Sequence, residues 1–320
     1  MRLFTLPPLL RRRVVTALTG LILSSLLPAQ AFAGIAEDAK AAQDAYAKRD
    51  FTKSLALATP AAEAGNAVAQ TVLGFHYDSG AGVRQSPEAA VTWFKKAAAQ
   101  GYALGQFGLG TMYARGRGVP QDAAEAVKYY RLAAVQDLAL ARMALGRAYL
   151  MGDGVPQSDV EAVTWYREPA EQGYAAAQAA MGLAYYNGKG IAENKEAGLM
   201  WLARAAEQND VQAQINLGII ALDKNTAPDD KVAVDWFRRA ALQGFVEAQN
   251  ALGQAYSIGR GVEKNLTLAY MWLELSAVDD YPAAIADRDA LRKEMNPAEV
   301  KQGEKLARQC KQSQYQSCPQ

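Results

Sequence analysis

The fold is decided by a stretch at residues 67–101, which reads AVAQTVLGFHYDSGAGVRQSPEAAVTWFKKAAAQG. The glycine at position 74 returns four times at intervals of 36 residues and once at 35. A column of aromatic residues that starts at Trp93 has the same spacing. Such a period is typical of proteins built from stacked repeats. The two columns are Gly74, Gly110, Gly146, Gly182, Gly218 and Gly253, and Trp93, Tyr129, Trp165, Trp201, Trp236 and Trp272.

Each repeat predicts two helices joined by a glycine turn. In the first helix Ala69, Leu73 and Tyr77 are four residues apart, which places them on one face of an α-helix. A Gly-x-Gly-Val turn follows at residues 80–83. The second helix then begins at a residue whose side-chain oxygen can accept a backbone N–H of the first turn. This capping column consists of Ser86, Asp122, Ser158, Asn194, Asp229 and Asn265.

The repeat resembles the Sel1-like repeat family, a relative of the tetratricopeptide repeat. The motif A-x-x-x-L-G-x-x-Y-x-x-G-x-G-V runs from Ala69 to Val83, and A-x-x-W-x-x-x-A-A-x-x-G runs from Ala90 to Gly101. The resemblance extends over residues 38–282. It implies an all-α, right-handed α/α superhelical solenoid of about seven helix-turn-helix repeats. It also implies a protein-binding scaffold, of a kind often found in bacterial envelope and signalling roles.

The chain is predicted to have four segments. Residues 1–33 are a signal peptide, and residues 34–66 form a divergent N-terminal repeat or cap. Residues 67–282 hold six repeats, and residues 283–320 contain capping helices and a tail. Solenoids need a polar cap at each end to remain soluble, and the C-terminal segment has a suitably high density of charge.

The first segment has the three parts of a secretory signal. Arg11–Arg13 supply positive charge, Val14–Leu27 are mainly apolar, and Ala31–Ala33 offer a cleavage site. An uncleaved membrane anchor is the alternative, although the apolar run is shorter than the ~20 residues of a spanning helix. We therefore expect a periplasmic or secreted protein with no membrane span after cleavage.

Composition excludes several kinds of function. Cleavage after residue 33 leaves 30 basic and 33 acidic residues, a balance that does not favour nucleic acid as a partner. His76 is the one histidine, so no site can use two imidazole ligands. We expect His76 to be partly exposed and ordinary in its chemistry. In an oxidising compartment Cys310 and Cys318 are predicted to form a disulfide.

The sequence contains no catalytic motif that we recognise. There is no Ser-x-x-Lys and no Gly-x-Ser-x-Gly nucleophile elbow. The regular spacing of the tryptophans and their alanine neighbours favour a core position over the stacking of a ligand. We therefore predict no catalytic, cofactor-binding or metal-binding residue, and a monomer by default.

One face of each first helix carries residues that differ in chemical type from repeat to repeat, unlike the glycine, aromatic and capping columns. It lies at positions −3, +1 and +4 from the repeat glycine, and in the middle repeats it is mostly apolar. A partner helix or an extended peptide could bind there, although curvature or a neighbouring helix could equally bury these side chains. The predicted partner-binding residues are Phe107, Met143, Leu150, Leu183, Tyr186, Ile215 and Ile219.

The sequence thus favours a non-enzymatic scaffold that binds an envelope or host protein. The alternative is a periplasmic protein that binds or hydrolyses peptidoglycan fragments or β-lactams. An accessible nucleophile or a cluster of perturbed acids would favour that alternative, and the sequence shows neither.

Overall fold

The computed structural model describes residues 29–223, 229–277 and 281–319. Those residues form sixteen helices and no β-strand. The helices are α1 (Ala29–Ala47), α2 (Phe51–Glu63), α3 (Ala67–Ser79), α4 (Pro87–Ala99), α5 (Ala103–Arg115), α6 (Ala123–Ala134), α7 (Ala139–Met151), α8 (Asp159–Glu171), α9 (Ala175–Asn187), α10 (Lys195–Glu207), α11 (Val211–Ala221), α12 (Asp230–Ala241), α13 (Val246–Ile258), α14 (Leu266–Ser276), α15 (Pro282–Glu294) and α16 (Pro297–Gln312). Of the helices described, none has the length and apolar content that crossing a membrane requires. The predicted signal peptide lies outside the described residues, apart from its last residues at the start of α1.

The chain divides into two compact units. The first comprises the residues up to 148 together with 153–156, and the second comprises 149–152 together with 157–320. In the first unit, α3 contacts its own second helix α4 and also the first helices α1 and α5. In the second unit the helices from α8 to α14 each pack on the next, and α15 and α16 both contact α14. Contacts between neighbouring repeats define a solenoid, as the repeat pattern predicts.

The repeat glycine allows the two helices of a pair to approach closely. A Cβ atom on Gly110 would lie 2.8 Å from the ring of Tyr130, and one on Gly218 would lie 2.7 Å from the ring of Phe237. In the repeats of Gly74, Gly110, Gly182, Gly218 and Gly253, the residue opposite the glycine is the one that follows the aromatic column. These buried residues are Phe94, Tyr130, Leu202, Phe237 and Leu273.

The prediction that the tryptophans form the core is wrong for most of the column. Trp272 is fully buried, but the tryptophans at 93, 165, 201 and 236 are only half-buried. A cation covers several of these rings, with Lys96 4.0 Å from the centre of Trp93 and Arg204 4.8 Å from that of Trp201. Consecutive residues of a helix point about 100° apart. When one residue faces the glycine, the tryptophan before it turns to the edge of the interface.

The predicted capping column is confirmed by the structure. Ser86 Oγ accepts a hydrogen bond from the Ala89 backbone N–H at 3.2 Å, and Asp122 Oδ1 accepts one from Glu125 at 2.9 Å. The glycine turns need left-handed backbone, since Gly190 has a φ of +70° and the space for its Cβ is filled by the carbonyl of Asp159. Caps and turns together fix where each second helix starts.

A glutamine column also holds the repeats together, and our sequence analysis missed it. The Nε2 group of Gln214 donates to the Ala206 carbonyl at 3.0 Å, and its Oε1 accepts from Gln243 at 2.9 Å. The same two bonds recur at Gln70 and at Gln178. Buried amides of this kind satisfy carbonyl groups near the end of the preceding helix.

His76 is fully buried, so the expectation that it is partly exposed is wrong. Its Nδ1 bonds the Ala81 carbonyl oxygen, and its Nε2 lies 2.8 Å from Ser54 Oγ. Tyr46 packs edge-on against the ring at 4.8 Å between ring centres. Helices α1 and α2 cover the side of α3 that carries His76, which differs from the side that carries Leu73 and Tyr77. Because a carbonyl can only accept, Nδ1 carries the proton of the neutral ring.

The burial of His76 predicts a loss of stability in acid. Burial lowers the pKa of His76 below its ordinary value of 6.5, and the hydrogen bond to Ala81 opposes that shift in part. The unfolded chain therefore binds the proton more tightly, so this stabilisation is complete above ~pH 6.5 and is lost as the pH falls below it. We expect the Tm of residues 34–320 to fall more between pH 7.5 and pH 5.5 than that of the His76→Gln variant. Equal falls would contradict this account.

A disulfide lies in the C-terminal tail. Cys310, which is fully buried, is joined to Cys318, with 4.6 Å between the Cα atoms. Within the loop that the bond closes, Tyr315 packs against the turn at Gly244, and a ring carbon of Tyr315 lies 3.0 Å from the position of a Cβ on that glycine. The N-terminus of α16 is stabilised by a capping box of Asn296 and Glu299. The tail thereby covers the apolar cluster around α14.

Candidate partner-binding site

A cavity of about 220 Å³ opens in the second unit beside helices α8 and α9. Its floor is apolar and includes Leu150, Met181 and Leu183. Its rim carries Asp159, Lys189 and the amide of an asparagine. The complete lining consists of Leu150, Asp159, Ala162, Val163, Tyr166, Ala180, Met181, Leu183, Ala184, Asn187 and Lys189.

Caps and turns position the charged rim. Ser158 caps α8 by accepting a hydrogen bond from the Glu161 N–H at 3.2 Å, which places Asp159 in the first turn. At the end of α9, Gly188 adopts left-handed backbone with a φ of +64°, and the chain turns so that Lys189 follows. Asn187 donates from Nδ2 to the carbonyl of the preceding helical turn at 3.0 Å. The rim is therefore built on helix ends rather than on a long loop.

The two charges of the rim are not paired with each other. Neither Asp159 nor Lys189 forms an ion pair with any residue that the structure describes. An apolar floor beside one cation and one anion can bind an apolar side chain that has charged neighbours. Over the described ranges, no three His, Cys, Asp or Glu side chains are grouped as a metal site would require.

The first unit has a cavity of its own, of about 250 Å³. Helices α1, α3 and α5 contribute to it, and its lining includes Tyr46, Phe75 and Tyr102. Thr71 also lines this cavity. Thr71 and Phe75 occupy the −3 and +1 positions of the variable first-helix face. In each unit, residues of that face therefore line a cavity.

The structure brings two of the seven predicted partner-binding residues together. Leu150 and Leu183 line the cavity of the second unit. Tyr186 is half-buried on the same helix as Leu183, with Lys195 Nζ 5.7 Å from its ring centre. Ile215 is half-buried against the C-terminal cluster, whereas Ile219 is 56% exposed. The cavity is therefore narrower than the predicted groove.

The remaining two predicted residues, Phe107 and Met143, belong to the first unit. Both are half-buried, and the ring centre of Phe107 lies 5.7 Å from that of Tyr130. Neither lines the cavity of that unit. The charged rim of the second unit was not predicted, because Lys189 lies in a glycine turn and Asp159 directly follows the capping residue Ser158, and we had assigned turns and caps to the fold.

Comparison with known proteins agrees with the repeat pattern. The Sel1 repeat matches the chain seven times, at residues 40–66, 67–102, 103–137, 138–174, 175–210, 211–245 and 246–277. The chain belongs to the Sel1 repeat family. Sel1 repeat proteins are in general scaffolds for protein–protein interaction. A comparison with curated protein sequences finds no match.

Two solved structures resemble this Sel1 repeat protein over most of its length. A Sel1 repeat protein from Oxalobacter formigenes is 32% identical, with a TM-score of 0.69 over 76% of this chain and 98% of that chain. The protein c5321, a protective antigen present in uropathogenic Escherichia coli strains, is 27% identical. Its TM-score is 0.54 over 84% of this chain and 68% of that chain. Both likenesses agree with the solenoid described above.

Proposed function

We propose that this Sel1 repeat protein is a non-enzymatic scaffold that holds a partner protein against the first-helix face of its second unit. The observation that carries the proposal is that Leu150 and Leu183, both from the variable face, line a cavity with an unpaired charged rim. Columns that build the fold keep one residue type, whereas a recognition surface is free to differ from repeat to repeat. At Leu150 and Leu183 the variable face and the cavity lining therefore coincide.

We also propose that the scaffold acts outside the cytoplasm, in the periplasm or as a secreted protein. The signal-like residues 1–33 support this location. The Cys310–Cys318 bond supports it as well, because disulfides persist in oxidising compartments. The partner would then be another envelope protein or a host protein.

A crosslinked pulldown from the envelope fraction tests the proposal. The bait is residues 34–320, and its variant Leu183→Asp places a charge in the floor of the cavity. The control is Ile258→Asp, because Ile258 is 68% exposed and outside the cavity lining. We expect one dominant protein with the unmodified chain and the control, and a loss of about tenfold or more with Leu183→Asp. Equal capture by all three, or no captured protein, would contradict the proposal.

A further inference from the structure

In the first unit, different residues occupy three of the repeat positions that line this cavity in the second unit. Arg117 follows the first glycine of its turn and forms an ion pair with Asp78, at 3.0 Å between Nη2 and Oδ1. The same nitrogen donates to the Asp78 carbonyl at 2.6 Å. Met112, on the helix between them, is 1% exposed. In the first unit these three positions therefore hold a carboxylate, a cation and a large buried apolar side chain.

Two repeats later, all three positions have changed. Leu150 stands where Asp78 stood, Ala184 replaces Met112, and Lys189 replaces Arg117. The methionine side chain is lost, which leaves its space empty, and the cation has lost its carboxylate. The cavity of about 220 Å³ lies at this point and includes all three residues in its lining.

Two repeats further on, the fold pairs its turn cation in a second way. Arg260 Nε lies 2.6 Å from Asp230 Oδ1, in the first turn of α12. Asp159 occupies the position of Asp230 in the repeat with the cavity, yet it forms no ion pair with Lys189. Lys189 thus lacks both of the carboxylate partners that the equivalent arginines have.

We propose that this cavity binds a segment of the partner protein in which an apolar side chain stands next to an aspartate or glutamate. The apolar side chain fills the space that Met112 occupies in the first unit, and the acidic side chain pairs with Lys189 as Asp78 pairs with Arg117. The volume suits one side chain of the size of leucine or phenylalanine. This inference rests on the proposed function and names the chemistry of its partner.

The chain itself supplies two variants that should block this binding, one by filling the cavity and one by giving Lys189 an internal partner. Ala184→Met restores the residue that the first unit has at this position, and Leu150→Asp restores the internal carboxylate. Lys189→Glu reverses the charge of the rim. Each position is within the second unit, and Ile258→Asp serves again as the control.

The test is selection from a phage-displayed library of random segments flanked by linker at both ends. Residues 34–320 should select Leu, Met or Phe beside Asp or Glu. Soluble, end-blocked versions of the selected peptides should bind Ala184→Met and Leu150→Asp at least about tenfold more weakly, with Ile258→Asp unchanged. Lys189→Glu should select Lys or Arg in place of the acid, and salt should weaken the wild-type binding.

Opposite results would overturn the inference. If the peptides bind all variants equally, or if Lys189→Glu selects the same sequences, the cavity does not recognise an acidic segment. Failure of the inference leaves the pulldown unaffected: a protein lost on Leu183→Asp but retained on Ala184→Met and Lys189→Glu would support the scaffold and exclude this chemistry. If neither peptide nor protein is captured, both proposals fail.

Discussion

Replacing Gly182 by alanine is expected to lower the free energy of unfolding by about 3 kcal/mol, because the new methyl group has no room. Its Cβ would lie 2.7 Å from Leu202 Cγ, 2.9 Å from the Leu202 backbone nitrogen and 3.0 Å from the Gly198 carbonyl oxygen. Two of these atoms belong to the backbone of α10, so the helices must separate. Urea denaturation of residues 34–320 measures the loss.

A second glycine of the same column gives the matched comparison. The three atoms nearest to a Cβ on Gly218 all belong to the ring of Phe237, the closest at 2.7 Å. A smaller side chain at 237 can therefore relieve the clash of Gly218→Ala, whereas Leu202→Ala cannot relieve that of Gly182→Ala. We expect Phe237→Ala to cost less stability in the Gly218→Ala chain than in the wild-type chain. Full tolerance of alanine at Gly182 would show that the helices are not packed at this distance.

Replacing Phe237 by alanine is expected to cost about 3–5 kcal/mol, the usual range for a buried phenylalanine. Phe237 is 5% exposed and faces the glycine of its own repeat. The adjacent Trp236 is the larger residue but is half-buried, with Arg239 4.6 Å from its ring centre. Trp236→Ala should therefore cost less than Phe237→Ala, although tryptophan is the more regular feature of the sequence.

The pair of variants gives a direct reading of which column forms the core. Both proteins are unfolded in urea under the same conditions, and the midpoints and slopes are compared. A larger loss from Trp236→Ala than from Phe237→Ala would reverse the assignment of the core made here.

The sequence predicted the repeat, its two helices and its caps because each depends on local chemistry. Ser86 and Asp122 cap their helices through bonds to residues three positions away. Glycine in the turn is likewise required by the local backbone, as at Gly190. Such features repeat with the sequence and need no knowledge of neighbouring repeats.

Burial across a helix pair was harder to predict. Trp236 and Phe237 are adjacent, both are large, and both belong to columns of the same period. Which one faces the glycine depends on the rotation of one helix against another, and that angle is not set by spacing alone. His76 was misjudged for a related reason, since its burial depends on α1 and α2, from the divergent repeat before it.

The candidate site was predicted only in outline. The variable face was visible as a set of columns, and two of its residues do line the cavity. The cavity itself arises from differences between repeats, such as alanine at 184 where Met112 stands two repeats earlier. A search for what every repeat shares passes over such differences. The glutamine column, by contrast, has the period of the glycines and could have been found.

The proposed function requires that a partner protein contacts the cavity face of the second unit. Its most direct test places a photocrosslinking amino acid in living cells at position 183, which lines the cavity, or at position 160, where Val160 is 62% exposed but outside the lining. We expect one dominant crosslinked protein from position 183 and none from position 160. The same crosslinked protein from position 160, with none from position 183, would contradict it.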